Sequence, residues 1–306
     1  MYRQVRRQHY NMYRPEWMLR PAVRGQILPP TQIEDYQDNI RMEYFPNGQI
    51  KFTGKWLNNT KNGLGILYYG NGTPEYEGEF KSGYYDGKGT LYYEDGKKEY
   101  EGEFKSGYYD GNGTLYDEIG LKKYKGTFKD NKYQGQGIIY YKNSRFIKYK
   151  GTFKDNQYQG RGILYYQNST FIKYKGEWRD GKKNGQGILY DEYGLPKYNG
   201  EWKDDKKNGH GISCFANRCA IEYYGEWKDD KRNGQGILYY DYNKIEYIGE
   251  WKDSKKNGHG FSYYVNGSIE YEGSWKDGKK NGHGIIYCED GTKLYEGEWI
   301  DDVTSG

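Results

Sequence analysis

The fold class predicted for this 306-residue chain is all-β, a row of antiparallel hairpins. Three observations predict it. A unit of 24 or 25 residues recurs through most of the chain. Two short stretches inside each unit alternate with period two. Polar, glycine-containing segments separate those stretches. Self-similarity at a period of this size marks a repeat architecture.

The unit is well seen in Tyr271–Leu294, YEGSWKDGKKNGHGIIYCEDGTKL. Aligned copies begin at Phe52, Tyr76, Tyr100, Tyr124, Tyr149, Tyr174, Tyr198, Tyr223, Tyr247 and Tyr271, and a shorter one at Tyr295. Upstream, Tyr44–Ile50 reads as the second half of a further copy. The first stretch is Y-x-G-x-W, as in Tyr271, Gly273 and Trp275; the second is G-x-G-x-[IL]-x-Y. Period two with aromatics is a strand signal. Between them lies KDGKKN, read as a polar turn. After the second come Asn-Gly or Asp-Gly pairs, as at Asn71-Gly72 and Asp290-Gly291. Such pairs permit the positive φ of tight hairpin turns and are expected to make them here.

The pattern resembles the MORN (membrane occupation and recognition nexus) repeat, Y-x-G-x-W-x-x-G-x-x-x-G-x-G, over roughly residues 44 to 300. The resemblance implies an elongated single-layer antiparallel sheet of stacked hairpins, with aromatics lining one side. Two strands per unit at about 4.8 Å would give an array on the order of 100 Å long. The expected division is an N-terminal extension over 1–40 and the repeat array over 41–306.

Composition fits a thin sheet better than a thick core. There are 45 Gly, 39 Tyr and 8 Trp, while aliphatic residues are scarce. Tyrosine buries its ring and keeps a polar end, glycine lets rings and backbones approach, and stability should come from repeat-on-repeat contacts. Net charge is +4, distributed as +4 over residues 1–75, +4 over 76–173 and −4 over 174–306. An array this near neutral argues against a general phosphate-binding face and against nucleic acid as its partner. Three cysteines make no disulfide framework. No signal-peptide core and no run near 18 apolar residues is found, so the expectation is a soluble, intracellular chain.

Residues 1–30 are different material, with six arginines against one acid, Glu16. Arg3, Arg6, Arg7, Arg14 and Trp17 would serve an extended docking arm, since arginine and aromatic rings together stack and pair hydrogen bonds. A solvated tail and a mitochondrial import segment are the other open readings. Thr31–Glu34 has capping-box spacing, and a short helix over 32–41 is expected to cover the first strand edge.

The units are of two kinds. Four carry Phe80, Phe104, Phe128 or Phe153 on the first strand and Tyr85, Tyr109, Tyr133 or Tyr158 near the turn. The others carry tryptophan with a Lys/Arg-Asn-Gly segment. Either the turn tyrosines compensate packing inside each hairpin, or each kind of unit shows a different face to a different partner.

Candidate chemistry is thin. Gly273–Lys279 and Gly176–Lys182 fit G-x4-G-K only superficially, because a lysine stands where a phosphate loop needs Ser or Thr and no helix follows. His210, His259 and His283 share a slot that other copies fill with Leu64, Lys88 or Gln186, which reads as solvent-facing. Copies of that slot should lie about 9–10 Å apart, too far for one zinc ion. Cys214 and Cys219 have no second ligand pair nearby. Glu77, Glu79 and their equivalents read as a solvated strand face. No catalytic residue, metal site or cofactor is expected.

The expected function is a non-catalytic scaffold bridging proteins of a large assembly. The expected contact surface is the aromatic side: Trp56, Tyr76, Phe80, Tyr100, Phe104, Tyr124, Tyr149, Tyr174, Trp178, Tyr198, Trp202, Tyr223, Trp227, Tyr247, Trp251, Tyr271, Trp275, Tyr295 and Trp299. Tyr and Trp give large contact area at low entropy cost. The C-terminal edge is a candidate for strand addition or a homodimer. Resemblance to radial-spoke head components and protist cytoskeletal MORN scaffolds implies a cilium or cytoskeleton. A peripheral phospholipid-binding adaptor and an accessory subunit of a mitochondrial complex are the alternatives. Members of the family that are enzymes carry activity in an appended domain, such as a lipid kinase or methyltransferase.

Overall fold

A computed structural model describes residues 39–305 apart from Asn217 and Tyr242. These residues form one open 23-stranded antiparallel sheet without helices. It begins with β1 (Ile40–Tyr44), β2 (Ile50–Leu57) and β3 (Thr60–Tyr68) and closes with β22 (Lys293–Ile300) and β23 (Val303–Thr304). Pairing follows chain order: β1 on β2, β2 on β3, and so on to β22 on β23. The upstream half-copy is thus real, and extends back to Ile40. Of the helix expected over 32–41, Ile40 and Arg41 are strand, because both pair with β2 opposite Lys55 and Gly54. Residues 32–38 of that expectation lie outside the described residues.

The hairpin of Ile269–Lys276 with Lys279–Tyr287 shows the local logic. Its two-residue turn is Asp277-Gly278, with φ of 52° and 89°, closed by Lys276 opposite Lys279. Two successive positive φ values define the mirror-image turn that follows strand twist. Lys279, Lys280 and Asn281, expected in the turn, are already strand. The Asp-Gly pair further on does a different job. Gly291 N–H donates to Cys288 O at 2.9 Å, Cys288 N–H donates to Thr292 O at 2.8 Å, and of Asp290 and Gly291 only the glycine has positive φ, 87°. That is a wider loop ending in a left-handed glycine. The tight turn therefore sits one segment earlier than the sequence suggested.

The central rung of the sheet is glycine on glycine. Gly54 faces Gly65, Gly65 faces Gly78, and the ladder continues unbroken to Gly284 facing Gly297. Over each pair lies a ring of the same hairpin. A Cβ on Gly284 would fall inside the Tyr271 side chain, 2.6 Å from its Cε2. Absent side chains on the ladder therefore leave the bed in which the core is laid. Between Gly273 and Trp275 the register shifts, so the second strand bulges through Gly282.

Candidate interaction surfaces

The ring face is a core. Tyr76, Tyr100, Tyr124, Tyr149, Tyr174, Tyr198, Tyr223, Tyr247 and Tyr271 are fully buried. Phe80, Phe104, Trp178, Trp202, Trp227, Trp251, Trp275 and Trp299 are buried beside them, whereas Trp56 and Tyr295 are half-buried. The rings expected to meet a partner are thus spent on one another. Each tyrosine takes an edge-to-face contact from the large ring of its own unit and another from the next: Tyr198 with Trp202 at 5.1 Å and with Trp227 at 5.5 Å. Such pairs add about 0.5–1.5 kcal/mol beyond area burial. The tyrosine hydroxyl donates to the carbonyl three residues on, as Tyr76 to Glu79 O at 2.9 Å. Burial pushes these phenols up, with Tyr271 reaching about 12 from burial first and Asp302 second.

The units are bonded to one another in a fixed direction. Trp202 Nε1 donates to Gly187 O at 3.0 Å, and Trp227, Trp251, Trp275 and Trp299 reach back in the same way. Trp56, the first in the row, has its Nε1 buried without a hydrogen-bond partner among the described residues. The tight turns also clamp backward, with Gly278 N–H on Lys256 O at 2.8 Å. Where the second turn residue is not glycine, its side chain adds a bond: Asp205 Oδ1 accepts from Lys183 N at 2.9 Å. Tyrosines at the far strand ends reach forward, as Tyr93 OH to Tyr116 O at 3.0 Å.

The two kinds of unit solve one packing problem. Tyr85 stacks on Tyr76 at 3.9 Å and 12° and meets Phe104 edge-on at 5.7 Å; Tyr109, Tyr133 and Tyr158 stack likewise on Tyr100, Tyr124 and Tyr149. In the tryptophan units a cation fills the same slot, as Lys207 does over Trp227 at 4.4 Å and Tyr198 at 5.0 Å. Desolvation pulls the Lys207 ammonium below the usual lysine range. The turn tyrosines thus compensate packing, while the residues just before two of them, Tyr84 and Tyr108, are exposed rings. The strand carboxylates are also busier than expected: Glu201 Oε1 accepts from His210 N at 2.9 Å, and Glu226 and Glu250 cap the same bulge N–H in their units.

The opposite face carries the surface that sequence reasoning missed. One residue per strand, beside the glycine ladder, forms a column across the sheet. On every second strand it holds Glu77 and Glu101, then Lys125, Lys150 and Lys175, then Asn199, with Thr90, Thr114, Ile138, Ile163 and Ile188 on the strands between them. Beyond these come Ile212, Tyr224, Ile237, Ile248 and Phe261 on successive strands. Beside that last run lies a second apolar column of Cys214 with Ile221, Tyr239 with Ile245, and Tyr263 with Ile269. The residues from Ile212 onward and those of the second column are half-buried except Tyr224, 49% exposed. The signal was the residue after each repeat tyrosine, which changes from acid to base, then through Asn199 to Tyr224 and Ile248, and back to acid at Glu272 and Glu296.

His210 points outward, its side chain 70% exposed. Among the described residues no three His, Cys, Asp or Glu side chains are placed to hold a metal ion. Arg3, Arg6, Arg7, Arg14 and Trp17 lie outside the described residues.

Hairpins stacked on a glycine ladder, each sealed by the aromatic of the next, define a structural repeat array. The chain belongs to the MORN repeat family, which matches residues 52–73, 76–98, 100–122, 124–144, 149–171, 174–192, 198–220, 223–243, 247–269, 271–293 and 295–306. MORN repeats are a structural, non-enzymatic repeat type and serve as protein- or membrane-binding scaffolds. No curated protein matches the chain. A solved structure of a mutant Photorhabdus luminescens Tc holotoxin pore is similar at 11% identity, over 86% of this chain and 14% of that one. Its TM-score of 0.17 carries no weight for fold or function.

Proposed function

We propose that the array is a non-catalytic scaffold bridging other proteins in a large assembly, a ciliary axoneme or the cytoskeleton. The observation that carries this reading is the directional bonding of unit to unit through indole, turn and tyrosine donors. An array joined this way holds its surfaces at a fixed spacing, which is what a bridging part requires. The choice of assembly rests on the resemblance of the repeat pattern to radial-spoke head components and cytoskeletal MORN scaffolds. The test is cosedimentation of the purified chain with detergent-stripped axonemes, set against flotation with anionic vesicles. Saturable binding to axonemes is expected. Salt-sensitive flotation without axoneme binding would replace the scaffold with a lipid adaptor.

A further inference from the structure

We propose that the apolar part of the face opposite the rings binds a second copy of this chain, the two arrays running antiparallel about a two-fold axis at Ile237. Ile237 lies on β17 (Lys231–Tyr240), midway between β14 (Pro196–Lys203) and β20 (Ile269–Lys276). A two-fold axis in the interface sets each strand against the one equally far on the other side of β17. Counting outward along the paired strands, Tyr224 then meets Ile248 of the second copy, and Ile212 meets Phe261. Further out Asn199 meets Glu272 and Ile188 meets Ile285. At the rim Lys175 meets Glu296, which Lys293 already partners at 2.7 Å.

The second column obeys the same reversal, with Ile221 on Ile245 and Cys214 on Tyr263. The result is an apolar centre with a polar rim in which Lys175 meets Glu296, the anatomy of a specific interface. On the far side of the first column Glu226 would oppose Glu250. Both carboxylates are turned back on their own strands, to Gln235 N at 2.9 Å and His259 N at 3.2 Å, and they set the border of the contact.

The alternative centre fails. Reversal about Thr114 also sets Glu101 against Lys125, but it opposes Lys98 with Lys122 and buries little apolar surface. A partner of another kind would need no self-matching, so the reversal symmetry selects a second copy. About seven strands at ~4.8 Å span roughly 34 Å, and two columns are about 15 Å wide. That is on the order of 1,000 Å² buried in total, the lower end of specific interfaces. An interface of this size suits a reversible dimer.

The full chain is tested by sedimentation equilibrium over graded concentrations. Wild type should move reversibly from monomer to dimer. Ile237→Lys should raise Kd about tenfold or more, whereas Thr114→Lys, on the same face far from the axis, should leave it unchanged. Circular dichroism melts check that both variants fold. In a chain with Cys214→Ala, Cys219→Ser and Cys288→Ser, Ile237→Cys should cross-link copy to copy, because this position meets itself on the axis. A strict monomer at ~100 µM would overturn the proposal. So would a dimer untouched by Ile237→Lys, or a persisting dimer in which position 237 does not cross-link. Binding of this face to zwitterionic vesicles by a chain that stays monomeric would also overturn it, assigning the patch to lipid.

Discussion

Gly211→Ala should destabilise the array at one joint. The added Cβ falls well inside contact of the Tyr198 Oη and Cζ atoms and 2.6 Å from its Cε2, where carbon contacts normally begin at about 3.5–4.0 Å. The ring cannot lift away freely. It is held by Trp202 at 5.1 Å, by Trp227 at 5.5 Å, and by its hydroxyl on Glu201 O at 3.0 Å. Displacing it forfeits a hydrogen bond of about 1 kcal/mol and two ring pairs of about 0.5–1.5 kcal/mol each. The expected loss is about 2–4 kcal/mol. Because coupling in repeat arrays is between neighbours, hydrogen exchange should quicken in the units beginning at Tyr198 and Tyr223 and hardly change in that beginning at Tyr76. Gly267→Ala is the contrast: nothing lies within 4 Å, but φ is +95°, so its cost of about 1–2 kcal/mol is conformational. Tyr198→Ala should abolish most of the penalty at Gly211, a non-additive cycle, and none at Gly267. A Gly211→Ala protein within ~0.5 kcal/mol of wild type in denaturant unfolding would refute the glycine-bed account.

Removing the four turn rings together (Tyr85, Tyr109, Tyr133 and Tyr158 to Ala) should lower the denaturant midpoint and lose protection in the phenylalanine units, since each stacks within 4 Å on a buried tyrosine; unchanged unfolding would restore their reading as a contact surface. Stability should fall above about pH 10, where unfolded tyrosine ionises. The buried phenols have raised pKa values in the fold, so their contribution is full below that pH and is lost as pH rises toward the folded values. Tyrosinate absorbance should show the nine buried residues ionising only on unfolding; their ionisation ahead of unfolding would contradict the burial. Asp205→Ala should cost about 1–3 kcal/mol by losing the bond to Lys183 N while keeping a left-handed φ of 69°, and Asp205→Gly should cost less because it releases the backbone; equal costs in thermal melts would argue against that split.

The hairpin row and its period were open to reading because alternation and spacing are local properties. The place of the tight turn was not. Asp-Gly occurs at both ends of a unit, at Asp277-Gly278 and at Asp290-Gly291, and only the pairing register tells a two-residue turn from a loop. The ring face was misjudged for a similar reason. A single sheet offers no second layer, so its aromatic side looks exposed; the cover comes from Trp227 reaching back over Tyr198 and from Lys207 lying across both. Neither contact has a signature inside one copy. The apolar columns around Ile237 escaped because each contributes one residue per strand, among charges, and they become a surface only once strands are laid side by side.

The backward reach of Trp202 to Gly187 is repeated by Trp227 to Gly211 with the same donor and the same acceptor. The indole bond at each joint along this part is chemically the same. Excising a whole copy, or duplicating one, leaves a sound seam wherever the cut falls, so the number of copies is free to drift in evolution while the seam stays constant. What length such a lineage keeps is then decided by the distance its partners need spanned.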